Sequence, residues 1–161
     1  MFRLIDSPLG PLRLQASPRG LSRVEFSGTS TSLEAVGGTD EGGAEKRSAD
    51  VLDAAQAQLA EYFAGQRRTF ELPLDPPATT DFRTAVHVQL AEIGYGETVT
   101  YRDVAKLLGR PGATRAVGSA CGANPLLIVR PCHRVLRSDG GLGGYAGGLE
   151  AKRFLVTLEE H

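Results

Sequence analysis

The sequence predicts an α+β protein in two parts, a small sheet with one helix followed by a helical region. Three observations lead there. Short segments of alternating apolar and polar residues, broken by Pro- and Gly-containing turns, fill residues 1–26. Apolar residues at spacings of three and four mark several later stretches as helical. Between them, Pro76-Pro77-Ala78-Thr79-Thr80 has the composition of a linker. The expected division is therefore residues 1–77 and residues 78–161.

In the first part, Phe2-Arg3-Leu4-Ile5 and Leu12-Arg13-Leu14 read as strands around the turn Ser7-Pro8-Leu9-Gly10-Pro11. After a second turn, Ser17-Pro18-Arg19-Gly20, the segment from Leu21 to Phe26 alternates as a half-buried strand does. Residues 27–48 are rich in Gly, Ser, Thr and Glu and are expected as a long exposed loop. From about Asp50 to Phe63, Val51, Ala54, Ala55, Leu59, Tyr62 and Phe63 recur at helical spacing, with Gly65 as a stop. Arg68 to Leu74 reads as one more short strand.

In the second part, Thr79 or Thr80 is placed to cap a helix carrying Phe82, Val86, Leu90 and Ile93 on its inner face. Thr100, with Asp103 three residues on, has the spacing of a capping box for a helix from Tyr101 to Leu108. The turn Gly109-Arg110-Pro111-Gly112 leads into a third helix, from Ala113 or Thr114 to about Gly122. Two short helices joined by a Gly-containing turn have helix-turn-helix form. Leu126-Leu127-Ile128-Val129 is wholly apolar and should be buried, delivering the chain to Pro131-Cys132-His133-Arg134-Val135. A loop with six glycines between Gly140 and Gly148 surrounds Tyr145. A helix from Leu149 to Glu159 follows, with Leu149, Phe154, Leu155 and Leu158 as its apolar stripe.

Composition narrows the function. The 161 residues are 41% hydrophobic and 23% charged, as in an ordinary water-soluble protein. No run of about 18 apolar residues exists, so no membrane span is expected, and the first residues lack a signal peptide's apolar core, which points to the cytoplasm. Two cysteines, Cys121 and Cys132, and three histidines make neither a disulfide framework nor a zinc site, so no metal is expected. The net charge of −1 hides an asymmetry. Arg102, Lys106, Arg110, Arg115, Arg130, Arg134 and Arg137 are opposed in their stretch only by Asp103. Such a cluster suits a phosphate-contacting surface, although a solvated basic face would look the same.

The chemistry centres on Cys132. A free thiol titrates near pH 8.5, so a nucleophilic Cys needs a base or a positive charge beside it. His133 is its neighbour in sequence, but adjacent side chains on an extended chain point apart, so a turn or a bridging water is required. A basic His is usually oriented by a carboxylate, and Glu150, Glu159 and Glu160 all lie on the last helix. Spacing does not choose among them. A buried structural thiol is the commoner fate of a cysteine. Tyr145, in its glycine-rich loop, has the shape to stack on a flat ligand.

Several segments together resemble the O6-alkylguanine-DNA alkyltransferases: Arg115-Ala116-Val117-Gly118, Asn124-Pro125, Ile128-Val129-Arg130-Pro131-Cys132-His133-Arg134-Val135, and Gly144-Tyr145-Ala146-Gly147-Gly148-Leu149. The resemblance covers about residues 80–160, with a weaker echo in Ser7–Pro11 and Gly20-Leu21. It implies a ribonuclease-H-like first domain and a second, helical domain with a winged helix-turn-helix that docks in the DNA minor groove. It also implies stoichiometric transfer of a methyl or small alkyl group from O6-alkylguanine, and possibly O4-alkylthymine, to Cys132. The protein would act as a monomer on double-stranded DNA, without a cofactor.

Residue roles follow from the same resemblance. Cys132 would accept the alkyl group, and His133 would deprotonate it through a water, oriented by Glu159. Tyr101 would donate to the purine, and Asn124 would hold the turn before the cysteine. Arg115 would replace the flipped nucleotide, with Thr114 and Ala116 beside it and Arg102 and Arg134 also facing DNA. Tyr145, Val135, Ala146 and Gly147 would line the base pocket. Two residues depart from the family: Arg130 stands where an aliphatic residue is usual, and Ala146 where some members carry a Ser. A non-catalytic alkyltransferase-like lesion-binding protein is the main alternative, disfavoured because such proteins lack the acceptor Cys. A winged-helix regulator and a Cys-His hydrolase are more distant rivals.

Overall fold

Three strands, β1 (Phe2–Ile5), β2 (Leu12–Ser17) and β3 (Gly20–Phe26), form an antiparallel sheet in the order β1-β2-β3. The computed structural model describes residues 1–27 and 43–161. A bulge between Gln15 and Ala16 shifts the β2–β3 register, which otherwise pairs Leu12 with Phe26 and Leu14 with Val24. Helix α1 (Ala44–Phe63) packs on β2 and β3. It buries Leu52, Ala55, Leu59 and Tyr62 completely or nearly so, as the sheet does Leu12, Leu14, Leu21 and Val24. At roughly 1.5–3 kcal/mol per large apolar side chain, this burial is what holds so small a sheet together.

Two expectations for this half are corrected. The loop expected over 27–48 gives way to helix from Ala44, six residues before the apolar periodicity starts. Ala44, Glu45, Lys46 and Arg47 are good helix formers, Lys46 pairs with Asp50 one turn on at 2.9 Å, and Ser48 is already buried. The rest of that expected loop, residues 28–42, lies outside the described residues. The strand expected from Arg68 to Leu74 is a single parallel bridge between Leu74 and Leu21. Leu21 N–H donates to the Pro73 carbonyl and Asp75 N–H to the Leu21 carbonyl, both at 2.8 Å. Pro73 has no N–H with which to extend the ladder. Gly20 permits the approach, since a Cβ there would lie 2.6 Å from the Pro73 carbonyl carbon.

The chain forms two compact units, Met1–Pro77 and Ala78–His161. In the second, α2 (Asp81–Leu90) starts at Thr80, whose Oγ1 accepts from the Arg83 N–H. Helix α3 (Tyr101–Leu107) starts at a full capping box: Asp103 N–H donates to Thr100 Oγ1 and Thr100 N–H to the Asp103 carboxylate, each at 3.0 Å. Helix α4 (Thr114–Gly122) packs against both α2 and α3. Leu126, Leu127 and Ile128 are buried as expected but turn rather than extend, with Ile128 at φ 72°, a left-handed conformation uncommon for a β-branched residue.

Strands β4 (Val99–Thr100) and β5 (Val135–Leu136) pair in parallel, Val99 with Val135 and Thr100 with Leu136. Helix α5 (Leu149–Glu159) closes the unit, but its buried stripe is not the expected one. Ala151, Lys152, Leu155 and Glu159 face inward, Leu149 is 53% exposed, and Phe154 and Leu158 are half-buried. Among the described residues no helix is long and apolar enough to cross a membrane.

Candidate active site

The parallel β4–β5 pair determines what meets what. Tyr101 directly follows β4, and the Cys132–Arg134 3-10 turn directly precedes β5, so pairing the strands brings the start of α3 beside the cysteine turn. That turn replaces the extended geometry that would have sent Cys132 and His133 to opposite faces. It is reached through a tight reversal in which Cys132 N–H donates to the Arg130 carbonyl at 2.8 Å. Asn124 braces the reversal: its Nδ2 donates to the Arg130 carbonyl at 2.9 Å, while its Oδ1 accepts from Leu126 N–H at 3.0 Å. The same side chain acts on the Cys132 thiol, favouring its ionised form.

Cys132 is 4% exposed, and burial pushes its thiol above the usual range. Asn124 and the charges of Lys152 and Arg130 work in the opposite direction. The thiol therefore needs a base. His133, fully buried, places Nε2 2.8 Å from Glu159 Oε2. An ionised carboxylate only accepts, so Nε2 carries the hydrogen and Nδ1 is left with the lone pair. Nδ1 is buried and has no hydrogen-bond partner among the described residues. Burial holds the imidazole below the ordinary histidine value; Glu159 draws it back up, and Arg134 and Lys152 push it further down. Of the three carboxylates left open by the sequence, Glu159 is the one at the histidine, with Glu150 and Glu160 exposed.

Lys152 was not singled out from the sequence, and it is fully buried here. Its ammonium donates to the Val135 carbonyl at 2.7 Å and to the Gly144 carbonyl and Tyr101 Oη at 3.2 Å each. It thus ties together β5, the glycine loop and the first residue of α3. The signal was present as spacing: Lys152, Leu155 and Glu159 stand three and four residues apart, on one helix face. Because Tyr101 Oη accepts from Lys152, its own hydrogen is left for another acceptor. Burial, with the two thiols, pushes the Tyr101 phenol up to about 12, so it stays protonated at neutral pH. Gly143 makes room for the ring, since a Cβ there would lie 2.6 Å from Tyr101 Oη. Cys121 is also buried, and its thiol is pushed up to about 12.

The other expected site residues divide by exposure. Arg102, Arg115 and Ala116 are exposed and Thr114 is half-buried. Ala146 is exposed, Tyr145 and Gly147 are half-buried, and Val135 is fully buried within β5. Arg134 is corrected. Expected on the DNA-facing surface, it is 7% exposed. Its Nε and one terminal nitrogen donate to both Glu159 oxygens at 2.7 and 3.0 Å, and the other terminal nitrogen donates to the Ile93 carbonyl at 2.6 Å. Three of its five N–H groups are spent inside the protein, and the side chain is turned away from any surface where a phosphate could lie. The basic run therefore splits, with Arg102, Lys106, Arg110, Arg115 and Arg137 outward, Arg130 half-buried and Arg134 inside. Among the described residues no group of three or more His, Cys, Asp or Glu could hold a metal ion.

Residues 1–76 match the family described as "6-O-methylguanine DNA methyltransferase, ribonuclease-like domain", and residues 81–161 the one described as "6-O-methylguanine DNA methyltransferase, DNA binding domain". The chain is 42% identical to the methylated-DNA–protein-cysteine methyltransferase of Methanosarcina barkeri, over 99% of this chain and 97% of that one. It is 40% identical to the enzyme of the same name from Mycobacterium bovis, over 99% and 92%. A solved structure of Mycobacterium tuberculosis OGT in complex with DNA superposes with a TM-score of 0.83 at 40% identity, over 99% and 92%. An O6-methylguanine DNA methyltransferase from Methanococcus jannaschii superposes with a TM-score of 0.63 at 27% identity, over 98% and 93%. With both halves matched over nearly their full length, the chain belongs to the 6-O-methylguanine DNA methyltransferase family.

Proposed function

We propose that this protein repairs DNA by direct reversal, moving a methyl or small alkyl group from O6 of guanine to Cys132 once per molecule. The observation that carries the reading is the buried Glu159–His133 pair, with its one remaining lone pair on the residue next to Cys132. His133 Nδ1 takes the thiol proton, directly or through a water, and Glu159 keeps the ring in the tautomer that allows this. The thiolate attacks the alkyl carbon, the carbon–sulfur bond forms as the carbon–O6 bond breaks, and guanine leaves restored. Tyr101, held through its oxygen by Lys152, donates its hydrogen to the purine as negative charge leaves through O6. The thioether product is inert to water, so the protein is consumed. None of these steps draws on a cofactor.

The target oxygen lies within a base stack, so the nucleotide must be extruded, at a cost of a few kcal/mol. Arg115, exposed on the second helix of the helix-turn-helix, would fill the vacated stack from the minor groove. Thr114, Ala116 and Arg102 would contact the backbone beside it. Tyr145, Ala146 and Gly147 would form the wall of the base pocket, with Val135 packed behind it. Nothing in this scheme asks for more than one copy of the chain. Two free thiols suit the reducing cytoplasm.

The test is the intact mass of the full chain after mixing with duplex DNA carrying one O6-methylguanine. A gain of one methyl per protein, with no further turnover, is expected. Tight DNA binding without any mass gain would turn the reading toward a lesion-binding protein. Arg115→Ala should slow repair of duplex at least tenfold while leaving attack on free O6-methylguanine unchanged. Equal losses on both substrates would remove its extrusion role.

A further inference from the structure

Arg134 is the buried charge of Ala78–His161 that the scheme above leaves unused. Its guanidinium grips both oxygens of Glu159, the carboxylate that holds His133, while its third arm is fixed on the Ile93 carbonyl and its Cζ lies 5.7 Å from the Tyr95 ring centroid. Glu159 Oε2 thus accepts from His133 Nε2 and from Arg134 at once. We infer that Arg134 is the positioning residue of the base: it fixes and neutralises the Glu159 carboxylate, so that His133 stays neutral and keeps a lone pair on Nδ1.

The argument is one of competition. A lone buried carboxylate 2.8 Å from an imidazole favours the imidazolium, which has no lone pair to accept the thiol proton. A bidentate guanidinium satisfies that carboxylate with charge of its own and fixes its plane. The other groups facing His133 do not replace it. Lys152, on α5, adds positive charge but is committed to Tyr101 and two carbonyls; Cys132 shares the turn; Tyr145, in the glycine loop, stays protonated. Burial and Arg134 act on His133 in the same direction, against Glu159. The sequence neighbour of the base therefore serves the base and not the DNA.

This inference rests on the alkyl-transfer reading, and its test separates the two. The full chain and its Arg134→Gln and Arg134→Lys variants are assayed for the single-turnover rate against pH on O6-methylguanine duplex. In parallel, the His133 imidazole is titrated by NMR without DNA. With Arg134→Gln, the acid limb of the rate profile and the His133 titration should both move up by about one pH unit. Arg134→Lys keeps the charge but loses the fork, so the titration should return close to the wild-type position while the maximal rate stays about tenfold down. A lower Tm in both variants with rate profile and titration unmoved would overturn the inference and leave Arg134 a purely structural residue. If the Gln variant does not fold, Arg134→Lys decides: a wild-type maximal rate overturns the positioning role, and a reduced one at an unmoved titration supports it. Absence of methyl transfer by the wild-type chain would count against the proposed function, while the NMR titration still decides the role of Arg134.

Discussion

The two halves of the molecule bury different things. Among the described residues of Met1–Pro77 the buried side chains are those of an apolar core, with Arg13, paired with Glu25, and Ser48 as the buried polar ones. In Ala78–His161 the protein interior takes in His87, Asn124, His133, Arg134, Lys152 and Glu159. Buried charges cost several kcal/mol each in lost hydration, and their mutual attraction seldom returns more than that. A half that carries three such charges, Arg134, Lys152 and Glu159, beside three further buried polar side chains is retaining them for something other than stability. Both halves have an apolar core, and the contrast assigns the chemistry proposed above to the polar network that the second half adds to its own.

The sharpest way to break that contrast is to remove the carboxylate. Glu159→Gln removes the negative charge and leaves one acceptor oxygen where His133 and Arg134 now share two, and the methyl-transfer rate should fall about 10²- to 10³-fold, as loss of an oriented base does. A rate within threefold of wild type, in single-turnover assays, would show that His133 needs no orientation. Next in size is the opposite experiment in the first half. Leu59→Ala empties a fully buried site on α1 and should cost about 2–5 kcal/mol in urea unfolding while leaving the transfer rate of the folded fraction unchanged. A rate loss of tenfold would mean that the halves are not divided in this way.

Lys152→Met sharpens the comparison further. It removes a buried ammonium and its three hydrogen bonds but keeps the length of the side chain. If the charge is held for chemistry, stability should change by less than about 1.5 kcal/mol while the rate falls roughly tenfold. A large loss of stability with an intact rate would reverse the assignment. The smallest effect is on pH. Burial holds His87 and His133 below the ordinary value of 6.5. The unfolded chain then binds protons that the folded chain refuses, so stability is greatest above about pH 6.5 and declines as the pH falls below it. Urea midpoints at pH 7.5 and 5.5 check the sign, and His87→Gln should flatten the decline.

What could be read from the sequence was local. The Thr100–Asp103 capping box, the α3–turn–α4 pair and the alternation of β3 each need only residues a few positions apart, and all are present. The fold class followed from these. What escaped depended on partners distant in sequence. Arg134 looked like a surface charge because its carboxylate lies 25 residues away, and Lys152 drew no reading because its three acceptors lie on three other segments. The apolar stripe of α5 was drawn through Phe154 and Leu158, since counting apolar residues cannot register a face that buries Lys152 and Glu159. The start of α1 escaped for the converse reason, being built from helix formers that carry no apolar signal. The Cys132-His133 adjacency was visible, but the turn that makes it useful was not.

The most direct test is to find where the methyl goes. The chain holds two thiols, Cys121 and Cys132, both buried in the second half. Peptide mapping by tandem mass spectrometry after treatment with excess O6-methylguanine duplex should find one S-methylcysteine, at Cys132, with Cys121 unmodified and with no transfer in a folded Cys132→Ala variant. Methylation at Cys121, or transfer persisting in Cys132→Ala, would contradict the account.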